Sequence, residues 1–217
     1  MGQFVWTGFD YIGEPTPYST KNSYFGIVDT AGFEKDSFWF YKSVWDIACE
    51  KPFIHISPCY WDFNEGQMID IIAYSNLPVL KLRYCGKIYD SETLDHKSED
   101  KLCAHFRVPY HKNSPVAVRG YYNENCTIND YAVEKVLFTS LDPYKIRMHS
   151  DRSEITADGR SLAFVTVTVE DRSGQEVQNA VNRIKFTVSG AGRLLGLDNG
   201  DSTDYDSYKG SHRKLFS

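Results

Sequence analysis

The chain has 217 residues, a formal net charge of −5 and an aromatic content of 15%, which allows one large folded domain or two small ones. It contains no run of five Lys or Arg residues, so the sequence predicts neither nucleic-acid binding nor a patch for anionic membranes. No apolar run is as long as a membrane span, and the N-terminus lacks the basic and then apolar pattern of a signal peptide.

Aromatic rings, two carboxylates and a Gly/Pro-rich turn crowd into residues 4–18. Phe4 and Trp6 alternate with Val5 as in a β-strand, and the run from Gly13 to Pro17 predicts an irregular loop where that strand ends. Rings beside carboxylates at the exit of a strand are typical of a sugar-binding pocket, since the C–H face of a sugar packs on a ring.

A helix is predicted next, because Phe38, Tyr41 and Trp45 are spaced to share one helical face. Asp36 is placed to cap its N-terminus. From Lys51 onward the pattern changes to short alternating strands separated by turns, which is typical of an immunoglobulin-like sandwich. The predicted strands are Phe53 to Ser57, Met68 to Tyr74, Val79 to Tyr84, Leu102 to Val108, Val116 to Tyr122 and Ala132 to Phe138.

A second boundary is predicted near Leu141 to Pro143, after which a new β pattern begins. Its strands are expected at Ile146 to Met148, Leu162 to Asp171 and Ile184 to Val188. The polar stretch from Asp90 to Lys101 is interpreted as a solvated loop.

The run from Phe4 to Tyr18, continued by Ser23 to Phe33, resembles the last strand of the catalytic barrel in the glycoside hydrolase family 2 β-galactosidases. The resemblance extends over the whole chain: Ile69 to Asn76 resembles the β-sandwich that follows this barrel, and Gly190 to Asp201 resembles the third accessory domain. At the hairpin of that sandwich the family usually has Asn before Gly, whereas this chain has Cys85 before Gly86, which leaves the turn type open.

The fold class that the resemblance implies is mainly β. Two immunoglobulin-like β-sandwiches are expected in tandem, preceded by the last strand and helix of a truncated (β/α)8 barrel. The expected domains are residues 1–50 for the end of the barrel, 51–140 for the first sandwich and 141–217 for the second sandwich, truncated at its C-terminus.

The resemblance also implies a parent enzyme that hydrolyses β-linked, β-galactoside-type sugars with retention, in a bacterial periplasmic or secreted protein. Substrate binds at the C-terminal ends of the barrel strands, where Trp6 would form the floor of the sugar subsite and Asp10 and Glu14 would contact substrate. The family carries its catalytic Glu pair on earlier strands. No catalytic residue, metal ligand or cofactor is therefore expected in this chain, which should be inactive by itself and complete its site with the rest of the barrel.

Several other interpretations compete with this one. Asp10 and Glu14 are not expected to be a catalytic pair, because a retaining glycosidase needs carboxylates about 5 to 5.5 Å apart on rigid elements and a Gly-containing bend would not fix them. Gly190 to Gly192 is interpreted as a bend in a strand rather than a phosphate loop, since no Lys-Ser/Thr follows it. The carboxylates between Asp198 and Asp206 could bind calcium, although the spacing of an EF-hand is missing.

A different class of function is a non-catalytic carbohydrate-binding or structural module formed by the two sandwiches. Binding would require a row of exposed rings, for which Tyr121, Tyr122, Tyr205 and Tyr208 are candidates. The five cysteines, Cys49, Cys59, Cys85, Cys103 and Cys126, show no C-x-x-C spacing and are interpreted as incidental thiols, with a Cys85 to Cys103 disulfide left open.

Overall fold

The computed structural model describes residues 4–46, 50–58, 63–112 and 114–216. Most of its regular structure is β, as the sequence predicts. In chain order the elements are β1 (Tyr11–Thr16), β2 (Asn22–Ser23), α1 (Asp36–Trp45), β3 (Ile54–Ser57), β4 (Met68–Ser75), β5 (Val79–Tyr84), β6 (Lys87–Thr93), β7 (Ala104–Pro109), β8 (Val116–Tyr121), β9 (Val133–Leu137), β10 (Lys145–Ser150), β11 (Val165–Glu170), β12 (Arg183–Lys185) and β13 (His212–Lys214).

Strands β3 to β9 form an antiparallel sandwich. One sheet has the order β3-β4-β7 and the other has the order β6-β5-β8-β9. Alternating residues of β3, β4, β5, β7 and β8 face a common core, in which Ile71, Leu80, Leu82 and Val118 are fully buried. This arrangement of three strands against four confirms the predicted immunoglobulin-like sandwich.

The edge strand β6 was not predicted, because its residues are mostly exposed and polar and therefore lack an apolar alternation. It pairs with β5 through the tight turn at Cys85 and Gly86, which have φ angles of 49° and 79°. Two successive residues at positive φ make a type I′ hairpin turn. The prediction that residues 90 to 101 form only a loop was wrong for residues 90 to 93.

The C-terminal part contains two strand pairs, β10 with β11 and β12 with β13, both antiparallel. Val169, Val177 and Ala180 form a small core there, with Leu215 packed against it. The strand predicted from Leu162 begins only at Val165. Just before it, the amide of Phe164 donates to the Asp151 carboxylate at 2.8 Å, so a side chain rather than a strand accepts this hydrogen bond.

Helix α1 forms as predicted, but the expected cap by Asp36 was wrong. Lys35 is the N-cap residue and makes no side-chain capping bond. The Asp36 carboxylate instead contacts His55 and Ser57 of β3. Tertiary contacts with the sandwich have replaced the local cap.

The two faces of α1 have different surroundings. Trp39 stacks on His55, and Phe40 meets Tyr74 edge to face, so this face seats the helix on β3 and β4. The predicted apolar face, Phe38, Tyr41 and Trp45, lines an open hollow of about 410 Å³ together with Ile27. The residues that the structure describes leave that face uncovered.

The strand predicted at Phe4 to Trp6 is absent from the described residues, where Phe4 is 97% exposed. Phe9 forms an isolated parallel bridge with Val28, and the first regular strand, β1, starts at Tyr11. It pairs in parallel with β2 through an irregular register. A barrel strand takes its hydrogen bonds from neighbouring strands, and the part of the chain that the structure describes supplies only this short one.

Cys85, Cys103 and Cys126 are free thiols, so the disulfide left open by the sequence is not formed. Cys49 and Cys59 lie outside the described residues. Among the helices in the described ranges, none has the length and apolar character needed to cross a membrane.

Candidate functional site

An exposed row of three hydrogen-bonded side chains lies beside β1. The indole Nε1 of Trp6 donates to the Tyr11 hydroxyl at 3.3 Å, and this hydroxyl donates to Oε2 of Glu14 at 3.4 Å. Trp6 is 75% exposed. A bare ring face next to a hydroxyl and a carboxylate can stack on a sugar and accept hydrogen bonds from its hydroxyl groups. We call Trp6, Tyr11 and Glu14 the site row.

Two of the residues predicted to contact substrate, Trp6 and Glu14, are therefore linked through Tyr11. Sequence reasoning missed Tyr11 as a site residue. The crowding of rings in residues 4–18 was the available signal, but which ring reaches Glu14 depends on the bend at Gly13, where φ is 98°. The pattern of residues does not reveal that bend in sufficient detail.

The backbone of Glu14 is held in an unusual conformation. Its φ angle is 45°, a left-handed value that costs a non-glycine residue of order 1 kcal/mol. Its carbonyl oxygen accepts hydrogen bonds from the hydroxyl groups of Thr16 and of the fully buried Ser23 in β2. Glu14 is thus positioned by β2 rather than by local preference.

Asp10, the third predicted contact residue, lies elsewhere. It is 6% exposed, and its two carboxylate oxygens lie 2.7 and 2.8 Å from the ammonium group of Lys35. The amide of Gly26 donates to Oδ1 at 2.8 Å. The Asp10 carboxylate therefore joins three parts of the N-terminal segment and has no open face toward a ligand.

A second cluster, also missed in the sequence, joins α1 to the sandwich. The Asp36 carboxylate lies 2.6 Å from Nε2 of His55 and accepts a hydrogen bond from Ser57. The bond with His55 is the largest cause that lowers the pKa of Asp36. Because Ser57 donates to the aspartate and not to the histidine, these residues do not have the arrangement of a nucleophile and its base.

Two of the carboxylates between Asp198 and Asp206 are already engaged by their own loop and by the neighbouring strands β12 and β13. Asp204 accepts bonds from Asn199 and Arg213, and Asp206 pairs with Arg183. Burial would raise the pKa of Asp204, but the amide of Asp206 and the Arg213 guanidinium together bring it below its usual value. In the described ranges, no group of three or more His, Cys, Asp or Glu residues could hold a metal ion.

The tyrosines proposed for a carbohydrate-binding module do not form a row of exposed rings. Tyr121 is fully buried, and its hydroxyl donates to the carbonyl of Ile128. Tyr208 lies beneath the ammonium group of Lys21, while Tyr122 and Tyr205 are exposed. The prediction for Tyr121 was wrong because this ring is covered on its face of β8: the Lys81 ammonium group lies 4.6 Å from the ring centre, and the loop that contains Ile128 accepts its hydrogen bond.

Comparisons with known proteins agree with the architecture. A family model described as glycoside hydrolase family 2 C-terminal domain 5 matches residues 146–217. A β-galactosidase from Bacteroides ovatus is 41% identical over 218 residues, which cover 99% of this chain. The chain carries a C-terminal domain of glycoside hydrolase family 2.

Solved structures extend the likeness to the three-dimensional fold. A β-glycosidase from Bacteroides vulgatus superposes on 97% of the chain with a TM-score of 0.84 and 26% identity. A β-glucuronidase from glycoside hydrolase family 2 superposes on 95% with a TM-score of 0.71 and 21% identity, which supports the fold alone.

The chain spans only a fraction of the length of these proteins. It covers 24% of the length of the Bacteroides ovatus relative, 26% of the Bacteroides vulgatus structure and 20% of the β-glucuronidase.

Proposed function

We propose that this chain is part of a retaining glycoside hydrolase of β-galactosidase type and is inactive by itself. The observation that carries the proposal is the site row. Its exposed indole lies next to a hydroxyl and a carboxylate, in the segment whose sequence resembles the last barrel strand of the family. The uncovered face of α1 supports it, since this face offers a packing surface for further barrel strands. The catalytic carboxylates would come from those strands.

In this proposal Trp6 is the stacking platform, and Tyr11 and Glu14 bind sugar hydroxyl groups. Asp10 is left out of the contact set because its carboxylate is buried in the ion pair with Lys35. The proposed domains keep their bounds of 1–50, 51–140 and 141–217. The strand pairing supports the second boundary, because strands β3 to β9 form sheets that contain none of the strands β10 to β13. A periplasmic or secreted location remains part of the proposal.

The proposal is tested by Trp6→Ala in an N-terminally extended form of the protein that includes a whole barrel. Losing the platform should raise KM for p-nitrophenyl β-galactoside by roughly five- to thirty-fold, since stacking on a ring of this size is worth about 1 to 2 kcal/mol. Trp6→Phe should recover part of the loss. Comparing kcat/KM for p-nitrophenyl β-glucuronide and p-nitrophenyl β-galactoside decides which sugar class the enzyme prefers.

Tyr122→Ala is the matched control, because Tyr122 is an exposed ring on the sandwich. It should leave KM unchanged. If Tyr122→Ala weakens sugar binding while Trp6→Ala does not, the sandwich acts as the carbohydrate-binding module and the proposed role of the site row is wrong.

A further inference from the structure

The last part of the chain packs on the first. We call residues 197–208 the terminal loop. The amide of Lys21 donates to the carbonyl of Ser202 at 3.0 Å, and the hydroxyl of Tyr205 donates to the carbonyl of Ser19 at 2.7 Å. The Lys21 ammonium group lies 4.3 Å from the centre of the Tyr208 ring. Both backbone and side-chain contacts therefore join segments at opposite ends of the sequence.

Gly200 and Asp29 lie close together in this contact. Gly200 has a φ angle of 74°, and a Cβ atom added to it would overlap with the Asp29 carboxylate. That carboxylate also accepts bonds from the amides of Ala31 at 2.8 Å and Phe33 at 2.9 Å. Burial raises the pKa of Asp29 although these hydrogen bonds lower it, and the nearby charge of Asp198 raises it further.

The terminal loop is held in shape by its own unit. Arg213 of β13 is 3% exposed and donates from Nη2 to the carbonyls of Leu197 at 2.7 Å and Ser207 at 3.1 Å. Asn199 donates to Asp204 and to the carbonyl of Lys214, both at 2.9 Å. The loop is thus fixed to β13 by hydrogen bonds that do not involve the N-terminal segment.

The contact is not explained by stability alone. Within the described residues, the buried side-chain polar atoms without a hydrogen-bond partner are Lys21 Nζ, Asn22 Oδ1, Tyr208 Oη and Arg213 Nε. All four belong to the contacting segments or to the arginine that supports the terminal loop. Burying such groups costs free energy, so their concentration here points to a role in placement.

The N-terminal partner of this contact leads directly to the site row. The Thr20 hydroxyl lies 2.8 Å from the carbonyl oxygens of both Pro17 and Asn22, which fixes the chain between Ser19 and β2. The Ser23 hydroxyl in β2 then donates to the carbonyl of Glu14. Fixing residues 19 to 23 therefore fixes the left-handed backbone of Glu14.

We propose that the terminal loop positions Glu14 and the site row from the far end of the chain, with Gly200 and Tyr205 as positioning residues. This inference rests on the proposed function. The terminal domain is then more than a spacer, because it sets how well the sugar subsite on the N-terminal segment is formed.

Two pairs of variants test the docking on the 217-residue chain. Gly200→Ala places a methyl group against Asp29, whereas Gly159→Ala has a similar φ angle of 69° with no atom within 4 Å of the added carbon. Tyr205→Phe removes the bond to Ser19, and Tyr144→Phe alters a similarly exposed tyrosine at the edge of β10. Hydrogen exchange at the Lys21 amide should rise by roughly three- to ten-fold in Gly200→Ala and Tyr205→Phe, the range for one lost hydrogen bond. The two controls should match the wild type.

The same four variants in the extended enzyme test positioning. Gly200→Ala and Tyr205→Phe should raise KM for p-nitrophenyl β-galactoside by about ten-fold and change kcat by less than about two-fold, since the site row holds the sugar in ground and transition states alike. Unchanged exchange at Lys21, or faster exchange with a wild-type KM, would overturn the inference. If the extended wild-type enzyme has no galactosidase activity, both the proposed function and this inference are overturned. That outcome differs from failure of the inference alone, in which the extended wild-type enzyme is active and the variants keep its KM.

Discussion

Asp10 and Glu14 are four residues apart, yet one carboxylate is buried and the other is exposed. The difference comes from residues farther along the chain: Lys35 neutralises Asp10, and Gly26 allows the backbone to approach it closely. Removing one partner of such a pair leaves an uncompensated buried charge, which is strongly destabilising. We therefore interpret Asp10 as a residue that supports the segment, whereas the Glu14 side chain stays exposed.

The clearest pH dependence in the chain belongs to Asp171. This fully buried carboxylate accepts bonds from the hydroxyl and amide of Ser173 and from the amides of Leu141 and Gln175. The bond from the Ser173 hydroxyl, followed by that from Leu141, lowers the pKa of Asp171 to about 2. A carboxyl group whose pKa is lower in the folded state stabilises the fold at pH values above its unfolded-state pKa near 3.9. This contribution is lost as the pH falls toward 2.

We predict that Asp171→Asn reduces the acid sensitivity of the C-terminal part. The urea midpoint of the wild type should fall between pH 5 and pH 2 by more than that of the variant, because the variant has no carboxyl group to protonate at this position. The variant should also be less stable than the wild type at pH 5. Equal falls in the two midpoints would show that Asp171 does not contribute to the acid transition.

At the scale of elements, the hairpin between β5 and β6 combines a favourable turn type with an unfavourable residue. Cys85 occupies a left-handed position at φ 49°, where Asn is better tolerated. Its thiol makes one weak contact, at 3.8 Å from the Ser114 hydroxyl. Little is therefore lost if the side chain changes.

We predict that Cys85→Asn stabilises the sandwich by about 0.5 kcal/mol, since Asn is several-fold enriched at left-handed positions. Thermal unfolding under reducing conditions measures the change. Cys126→Asn is the control, because Cys126 is not among the residues at positive φ. A lower melting temperature for Cys85→Asn, or the same gain in both variants, would contradict the turn argument.

Helix α1 shows how one element can serve two surfaces. Its Trp39 and Phe40 side is seated on the sandwich by aromatic contacts and by the Asp36 to His55 pair, while its Phe38, Tyr41 and Trp45 side stays open. The spacing of the apolar residues predicted the open side. The seated side could not be predicted from the helix itself, because its partners His55 and Tyr74 belong to strands that follow it.

For the whole molecule, the sequence predicted the strands whose residues alternate between apolar and polar. It did not predict contacts between residues that are far apart in the chain. Met68–Ser75 alternates between core and surface and was found, whereas the polar edge strand Lys87–Thr93 was missed. Likewise Trp6 and Glu14 could be selected as candidates from local crowding. The burial of Asp10 and the contact of Tyr205 with Ser19 depend on residues 25 and 186 positions away, and a single sequence carries no signal for such pairs.

The whole molecule then consists of a sandwich with a complete core, a C-terminal unit with a small one, and an N-terminal segment that the other two support. The segment contacts the sandwich through α1 and the terminal loop through residues 19 to 29. The exposed face of the Trp6 ring and the hollow beside the open side of α1 are left uncovered by the described residues. This uneven distribution is expected if catalysis needs further barrel strands.

The most direct test compares hydrolysis of p-nitrophenyl β-galactoside by the purified 217-residue chain and by the N-terminally extended form with a whole barrel. We predict turnover in the extended form and none above background in the chain. Turnover by the short chain that is lost in Glu14→Gln would contradict the account, because it would place a catalytic carboxylate in the site row itself.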